Sequence, residues 1–337
     1  MNSYTVRAHA RLACCLLDMN GERGRADGTL GIALETPFVE VSAAASSEPD
    51  IVVDDAVSAA VSAGLDLAER VAGRSLSVAI RLPYWIPAHV GLGHKTQTVL
   101  AVAVASLSAS SVAFTNEEVA QLSGRGGTSG AGIHTFLGGG VVLDGGHRFG
   151  VGFKSSFAPS AATAQFGPPP LVARIHPPHR LRIVVASATG LEGASGVSEV
   201  DYFERAFPTS RADADSLIAN VYMRLVPAML EGDLAQIDAG VQSIQLSDFK
   251  QKIWASQPRS IRLAGEALQA AGITVGLSSM GSTMYTITSD VHAVHVSELY
   301  REVLEGLGID ARLYITEIAR SGAKVFQNSG LEASGRM

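Results

Sequence analysis

From Thr96 to Asn116 the chain runs 21 residues without a charged side chain, TQTVLAVAVASLSASSVAFTN. A segment of that kind must be hidden from water, in a bilayer or inside a protein. Alanine, serine and threonine dominate it and large apolar groups are few, a poor composition for lipid. It is expected as a helix buried in a globular core. The rest of the chain supports such a core: 337 residues, 47% apolar and 17% charged, with mean hydropathy +0.22. This excludes a disordered chain and predicts one large domain or two ordinary ones.

Lysine and arginine number 26 against 32 aspartate and glutamate, a net charge of −6. No cationic excess exists to neutralise a run of phosphates, which argues against nucleic acid as the main partner. The opening MNSYTVRAHARL lacks a signal peptide's apolar block, and no membrane partner is expected. Cys14 and Cys15 are the only cysteines, and side by side. They make no disulfide framework, which predicts a reducing, cytoplasmic setting. Without CxxC or His/Cys spacing they read as small core residues rather than metal ligands.

The pattern is mixed. TVRAHARLACCLLDMNG alternates and closes at Asn20-Gly21, a hairpin-type turn; GTLGIALE and FVEVSAAA continue as strands. Asp54 to Ala72 has helical spacing, with Val57, Val61, Leu65, Leu67 and Val71 apolar. SLSVAIRLPYWIP is a strand stopped by proline, and a helix starts at Thr115 with Glu117 and Glu118 at its positive end. Gly167-Pro168-Pro169-Pro170 reads as a linker. Beyond it, HRLRIVVASA is a strand, and Asp213–Leu230 and Ile261–Ala271 are helices. GITVGLSSMGSTMYTITSD is a strand, a glycine-serine turn, and a strand or helix. HAVHVSELYREVLEGLG is a helix and RLYITEIA a last strand, before a loose polar tail from Ser321. No 20–50-residue repeat is visible. The class is α+β, in two halves split near 165–172.

Three glycine-rich segments carry the chemistry. In PAHVGLGHKTQ, Gly91 and Gly93 let backbone approach a ligand, the following helix offers free N–H groups, and His94 and Lys95 add positive charge. It is neither GxGxxG nor GxxxxGK[ST], so neither a Rossmann nor a Walker site follows. Gly124-Arg125-Gly126-Gly127-Thr128-Ser129-Gly130-Ala131-Gly132 suits a second anion pocket, whereas Gly138 to Gly140 reads as turns. Gly276-Leu277-Ser278-Ser279-Met280-Gly281-Ser282-Thr283 supplies small residues and hydroxyl donors. Each of the three, taken alone, is also compatible with ordinary packing.

In this order and spacing the segments resemble the GHMP kinase superfamily. PAHVGLGHKTQ is similar to its second motif, PxxxGLGSSAA, and GLSSMGST to its third, GxxxSSxGPT. The resemblance implies an α+β, two-domain GHMP-kinase-like fold. Residues 1–167 would form a ribosomal protein S5-like N-terminal half and 168–325 a ferredoxin-like C-terminal half, with a flexible tail over 326–337. His94-Lys95-Thr96 stands where the kinases carry serines. TSGAG stands where mevalonate kinase carries PSGID, with no aspartate to act as base.

RAHARLACCLLDMNGERGRADGTLGIALETP, HVGLGHKTQ, GRGGTSGAGIHTFLGGGVVLDGGH and KSSFAPS resemble one branch, the β-ribofuranosylaminobenzene 5′-phosphate synthase family. That family joins phosphoribosyl pyrophosphate (PRPP) to an aromatic acid, releasing CO2 and pyrophosphate and forming a C–C glycosidic bond. The resemblance implies a phosphoribosyl (C-glycosyl) transferase. GLGHKTQ and the Ala/Ser/Val-rich composition lean toward the sister group of C-nucleoside antibiotic pathways, with 4-aminopyrazole-3,5-dicarboxylate as acceptor. The alternatives are the methanopterin-pathway enzyme using 4-aminobenzoate, an ATP-dependent small-molecule kinase of the same fold, and a ligand-binding regulator.

The resemblance also implies site residues. PRPP would lie against Gly91, Leu92, Gly93, His94, Lys95, Thr96 and Gln97, against Arg125, Gly126, Gly127, Thr128, Ser129 and Gly130, and near Ser278 and Ser279. Arg7, His9, Arg11, His89, Arg125 and Asp144 are candidates for the reaction centre and the acceptor's carboxylate. Arg7, His9 and Arg11 fall at period two and fit a solvated strand face as well as a ligand-facing one. Mg²⁺ is the expected cofactor, with Asp18 and Asp27 as holders or as turn caps. His134 is a further functional candidate, His147 resembles a family feature, and Lys154 reads as a phosphate contact or a surface lysine. His292 and His295 read as structural, His176 and His179 as surface loop. The family implies a homodimer.

Overall fold

The computed structural model describes residues 2–160, 162–191 and 197–328. The long strands β1 (Ser3–Asp18) and β2 (Arg25–Ala45) form the expected hairpin. Asp18 Oδ1 caps its turn, accepting from the N–H groups of Asn20 and Gly21 at 2.9 and 3.0 Å. β3 (Asp50–Val52), α1 (Asp55–Ala72) and β4 (Val78–Tyr84) follow; β3 runs parallel to β4, and β4 pairs with the far end of β2. Asp54 starts α1 by accepting from Ala56 N–H at 2.9 Å, and the left-handed Gly73 ends it.

Thr96 to Ala109 of the uncharged segment lies in α2 (His94–Ala109), a shorter helix than expected, which packs between α1 and the β1–β2 hairpin. Gly64 of α1 sits against Val99 and Val102, a separation that only small residues permit. Val99, Leu100, Val102, Val104 and Leu107 are all buried, each worth about 1.5–3 kcal/mol over an exposed position. No helix among the described residues is long and apolar enough to cross a membrane. α3 (Asn116–Leu122) is capped by Thr115, whose Oγ1 accepts from Glu118 N–H at 3.1 Å. Then come α4 (Ala131–Gly138), β5 (Val141–Asp144), β6 (His147–Arg148) and β7 (Leu171–Ile175). β5 and β6 pair with the near end of β2, and β7 with β5.

The second half opens with β8 (Leu181–Ala188) and a run of helices: α5 (Val197–Ala206), α6 (Arg211–Asn220), α7 (Val226–Glu231), α8 (Leu234–Leu246), α9 (Asp248–Ser256) and α10 (Arg259–Ala270). β9 (Gly276–Leu277), β10 (Thr283–Ser289), α11 (Ala293–Gly306), β11 (Ala311–Thr316) and β12 (Lys324–Asn328) complete it. Strand order is β11-β8-β10-β9, all antiparallel, which is the ferredoxin-like arrangement. Cys14 and Cys15 are buried, and burial pushes their thiols up to about 11 and about 12, as inert core residues require.

Several sequence expectations change. The helix expected over Asp213–Leu230 is interrupted by a π-helical turn at Val221–Leu225, next to Pro227, which has no N–H to donate. Helices α5, α8 and α9 were not anticipated, although Asp233 and Ser247 supply N-caps to Gln236 and Lys250. The first sheet extends beyond residue 167 to take in β7. The tail expected from Ser321 instead returns as β12 along β1, Ser3 opposite Asn328 and Arg7 opposite Lys324, because β1 offers a free edge. Residues 329–337 of that tail lie outside the described residues.

Candidate functional site

The turn between β4 and α2 is the centre of the site. Gly91 and Gly93 both adopt left-handed backbone, with φ of 91° and 85°. Gly93 caps α2 with no side-chain hydrogen bond, so the helix begins without a side-chain acceptor for its first N–H groups. Arg11 from β1 lies under this turn. Its N–H donates to Leu92 O at 3.0 Å and its Nη1 to Gly91 O at 2.6 Å. Its Nε is buried with no hydrogen-bond partner. Burial, and then the charge of Arg125, lower its pKa to about 10. Two guanidiniums therefore converge at the positive end of α2.

Arg125 comes from the loop between α3 and α4. Its Nε donates to Thr96 Oγ1 at 3.1 Å, and its N–H to Ser123 Oγ at 3.1 Å. Gln97 Nε2 donates to Gly132 O at 2.9 Å, fixing α2 to the start of α4. Lys95 is exposed on the first turn, whereas burial lowers the pKa of neighbouring His94. Gly126 packs on Pro168, Thr128 Oγ1 donates to Ala158 O at 2.6 Å, and Ser129 is half-buried. Gly130 N–H donates to Asp144 Oδ2 at 2.9 Å, and Gly146 N–H to Asp144 Oδ1 at 3.0 Å. Burial raises Asp144 to about 6 against the pull of those two N–H groups. This carboxylate pins the loop from inside.

The third glycine segment closes on the first. Ser278 Oγ donates to Gly91 O at 2.7 Å and accepts from Ala13 N–H at 3.1 Å; Ser279 N–H donates to Ala13 O at 2.8 Å, and Thr283 N–H to Val90 O at 3.2 Å. A side chain at Gly91 would strike the Ser278 carbonyl, and one at Gly281 the backbone of Val90. Ser278 is fully buried, and its hydroxyl is committed to backbone. It is thus a clasp and not the ligand contact expected, and the Ser279 N–H is likewise committed.

Beneath the clasp lies Lys250, unforeseen in the sequence. Its Nζ donates to Leu277 O at 2.6 Å and Ser279 O at 3.4 Å, and burial lowers it to about 8. The one sequence signal was its place beside Phe249 and Ile253 on the buried side of α9.

Other candidates stand elsewhere. Arg7 pairs with Glu40 Oε2 at 2.7 Å and lies over the Phe38 ring, a cross-strand surface contact. His9 is buried, its Nδ1 3.9 Å from Glu35 Oε2, and burial lowers its pKa. His89 is exposed with φ of 60°. His134 Nε2 lies 2.8 Å from Pro169 O, a loop tether. Leu92 is core. Neither expected Mg²⁺ holder fits. Asp18 caps the hairpin turn and faces Arg23, and both oxygens of Asp27 are taken by His147 and Lys154. Among the described residues no group of three His, Cys, Asp or Glu side chains could hold a metal. Lys154 is buried, so it is neither a phosphate contact nor a surface lysine. A cleft of about 560 Å³ between α8, α9 and α10, lined by Gln242, Gln245, Trp254 and Arg262, shares no residue with these loops.

No family model matches the chain. Solved structures define the class, the GHMP-kinase fold. Homoserine kinase from Cytophaga hutchinsonii superposes with a TM-score of 0.69 at 17% identity, covering 97% of this chain and 98% of that one. Streptococcus pneumoniae phosphomevalonate kinase gives 0.67 at 14%, covering 94% and 100%, and Staphylococcus aureus mevalonate diphosphate decarboxylase 0.63 at 11%, covering 96% and 98%. At such identities these show the fold alone.

Sequence relatives narrow it. The β-ribofuranosylphenol 5′-phosphate synthase of Archaeoglobus fulgidus is 32% identical over 325 residues, 95% of this chain and 98% of that protein. The synthase of the same name from Methanothermobacter thermautotrophicus is 32% identical over 294 residues, 85% of this chain and 88% of that protein. The chain belongs to the β-ribofuranosylphenol 5′-phosphate synthase family.

Proposed function

We propose that this protein transfers the phosphoribosyl group of PRPP to an aromatic carboxylic acid, with loss of CO2 and pyrophosphate. The observation that carries the reading is the convergence of Arg11 and Arg125 at the uncapped start of α2, with Lys95 exposed beside them. Such a site suits the departing pyrophosphate, whose oxygens gain charge as the C1–O bond breaks. The ring carbon bearing the carboxylate attacks C1. The ring–carboxylate bond then breaks, CO2 leaves, and its electron pair restores aromaticity. No ring proton has to be removed. That agrees with a glycine loop that carries no aspartate, the nearby Asp144 of β5 being engaged with the Gly130 and Gly146 N–H groups inside the protein.

The relatives' name, that of a ribosyl phenol phosphate synthase, supports as acceptor a benzoate with a hydroxyl or amino group opposite the carboxylate rather than the aminopyrazole dicarboxylate. Either substituent donates electrons to the attacking carbon. The test supplies PRPP with 4-hydroxybenzoate, 4-aminobenzoate or 4-aminopyrazole-3,5-dicarboxylate and measures released CO2 and pyrophosphate. A parallel assay offers ATP and small alcohols. CO2 release with a benzoate is expected; ADP formation in the second assay, with none in the first, would overturn the reading.

A further inference from the structure

The side chain of Asp27 is wholly buried. Its two oxygens accept from Lys154 Nζ at 3.0 and 2.8 Å, and its Oδ2 lies 2.7 Å from His147 Nδ1. Both partners reach onward. Lys154 Nζ donates to Gly127 O at 3.0 Å, and His147 Nε2 lies 3.0 Å from Gly167 O. Gly127 belongs to the Arg125–Gly130 loop, and Gly167 leads into Pro168, on which Gly126 rests. One buried carboxylate thus anchors both walls of that loop through Lys154 and His147.

Buried ion clusters are a poor source of stability, since apolar side chains of similar volume often serve as well. This one instead directs its spare donors at loop carbonyls. A trans peptide points its N–H opposite its C=O. Turning the Gly127 carbonyl down to Lys154 therefore turns the Thr128 N–H away from the cluster, the arrangement of a backbone anion cradle. His147 faces a carboxylate on one side and a carbonyl on the other, and both only accept. Satisfying both requires a proton on each ring nitrogen.

We propose that Asp27, His147 and Lys154 are positioning residues of the donor pocket, holding the Arg125–Gly130 loop with its Thr128 N–H toward the phosphates of the sugar donor, with His147 as an imidazolium. This rests on the PRPP reading above. The test uses the full chain. PRPP affinity is measured by calorimetry for the wild type, His147→Phe, Lys154→Arg and Lys154→Met, each with a thermal melt, and ¹⁵N NMR reads the His147 ring in the wild type at pH 7. A folded His147→Phe protein should bind PRPP about tenfold more weakly, with a raised PRPP KM and kcat changed far less. Lys154→Arg should keep more affinity than Lys154→Met, and both ring nitrogens should carry protons. Wild-type affinity in folded His147→Phe, or a bare ring nitrogen in the wild type, overturns the proposal while leaving the PRPP reading intact. A wild type that does not bind PRPP overturns both. The NMR result is decisive even if every variant fails to fold.

Discussion

Arg125 Nε and Thr96 Oγ1 lie 3.1 Å apart, a bond that ties the loop before α4 to the first turn of α2. The hydroxyl aims the guanidinium toward the end of the helix where an anion is best received. Thr96→Val keeps the shape and removes that acceptor. It should raise the PRPP KM roughly fivefold with kcat little changed, whereas Arg125→Ala should lower kcat/KM by about a hundredfold. Steady-state kinetics with PRPP varied checks both.

Ser278 joins the two halves by a single hydroxyl between Ala13 N–H and Gly91 O. Ser278→Ala leaves a buried N–H without its acceptor. The loss should be about 1–3 kcal/mol in denaturant unfolding, together with a weakened donor site as the Gly91 turn relaxes.

Asp144 gives a pH dependence of known sign. Its folded pKa, about 6, lies above the unfolded value of about 3.9, so the fold favours its protonated form. Its contribution is full below about pH 4 and is lost as pH rises through 6. Asp144→Asn should remove a slope on the order of 3 kcal/mol across that window. Unfolding titrations of wild type and variant between pH 4 and 7 measure the difference.

Arg7 and Lys95 make a contrasting pair. Arg7→Ala should leave PRPP kinetics unchanged and cost under about 1 kcal/mol, since a surface ion pair and a ring contact are all it loses. Lys95→Ala should leave the melting temperature unchanged and raise the PRPP KM roughly three- to tenfold. An inactive Arg7→Ala protein would return β1's outer face to the site.

The glycine turns and the buried α2 were legible because turn chemistry and missing charge are local signals, whereas the bond from Arg125 to Thr96 was not, since Arg125 reads in sequence as part of a second anion pocket. Arg7, His9 and Arg11 do share one face of β1, opposite Val6, Ala8, Ala10 and Leu12 in the core, but only Arg11 reaches the site, because its partner Gly91 lies 80 residues away. Lys154 and Lys250 could not be recognised as buried, because their partners come from 127 and 27 residues away. Ser278 looked like a ligand donor because its role as a clasp depends on Gly91, 187 residues distant.

The return of β12 to β1 sets a condition on how the molecule is made. On the ribosome the Ser3–Arg7 edge stays unpaired until residues 324–328 have emerged, and fragments ending before residue 324 would present that bare edge to one another. Since Ser3 and Asn328 face each other, a short bridge between them would yield a circular permutant whose new ends could be opened at an exposed turn elsewhere.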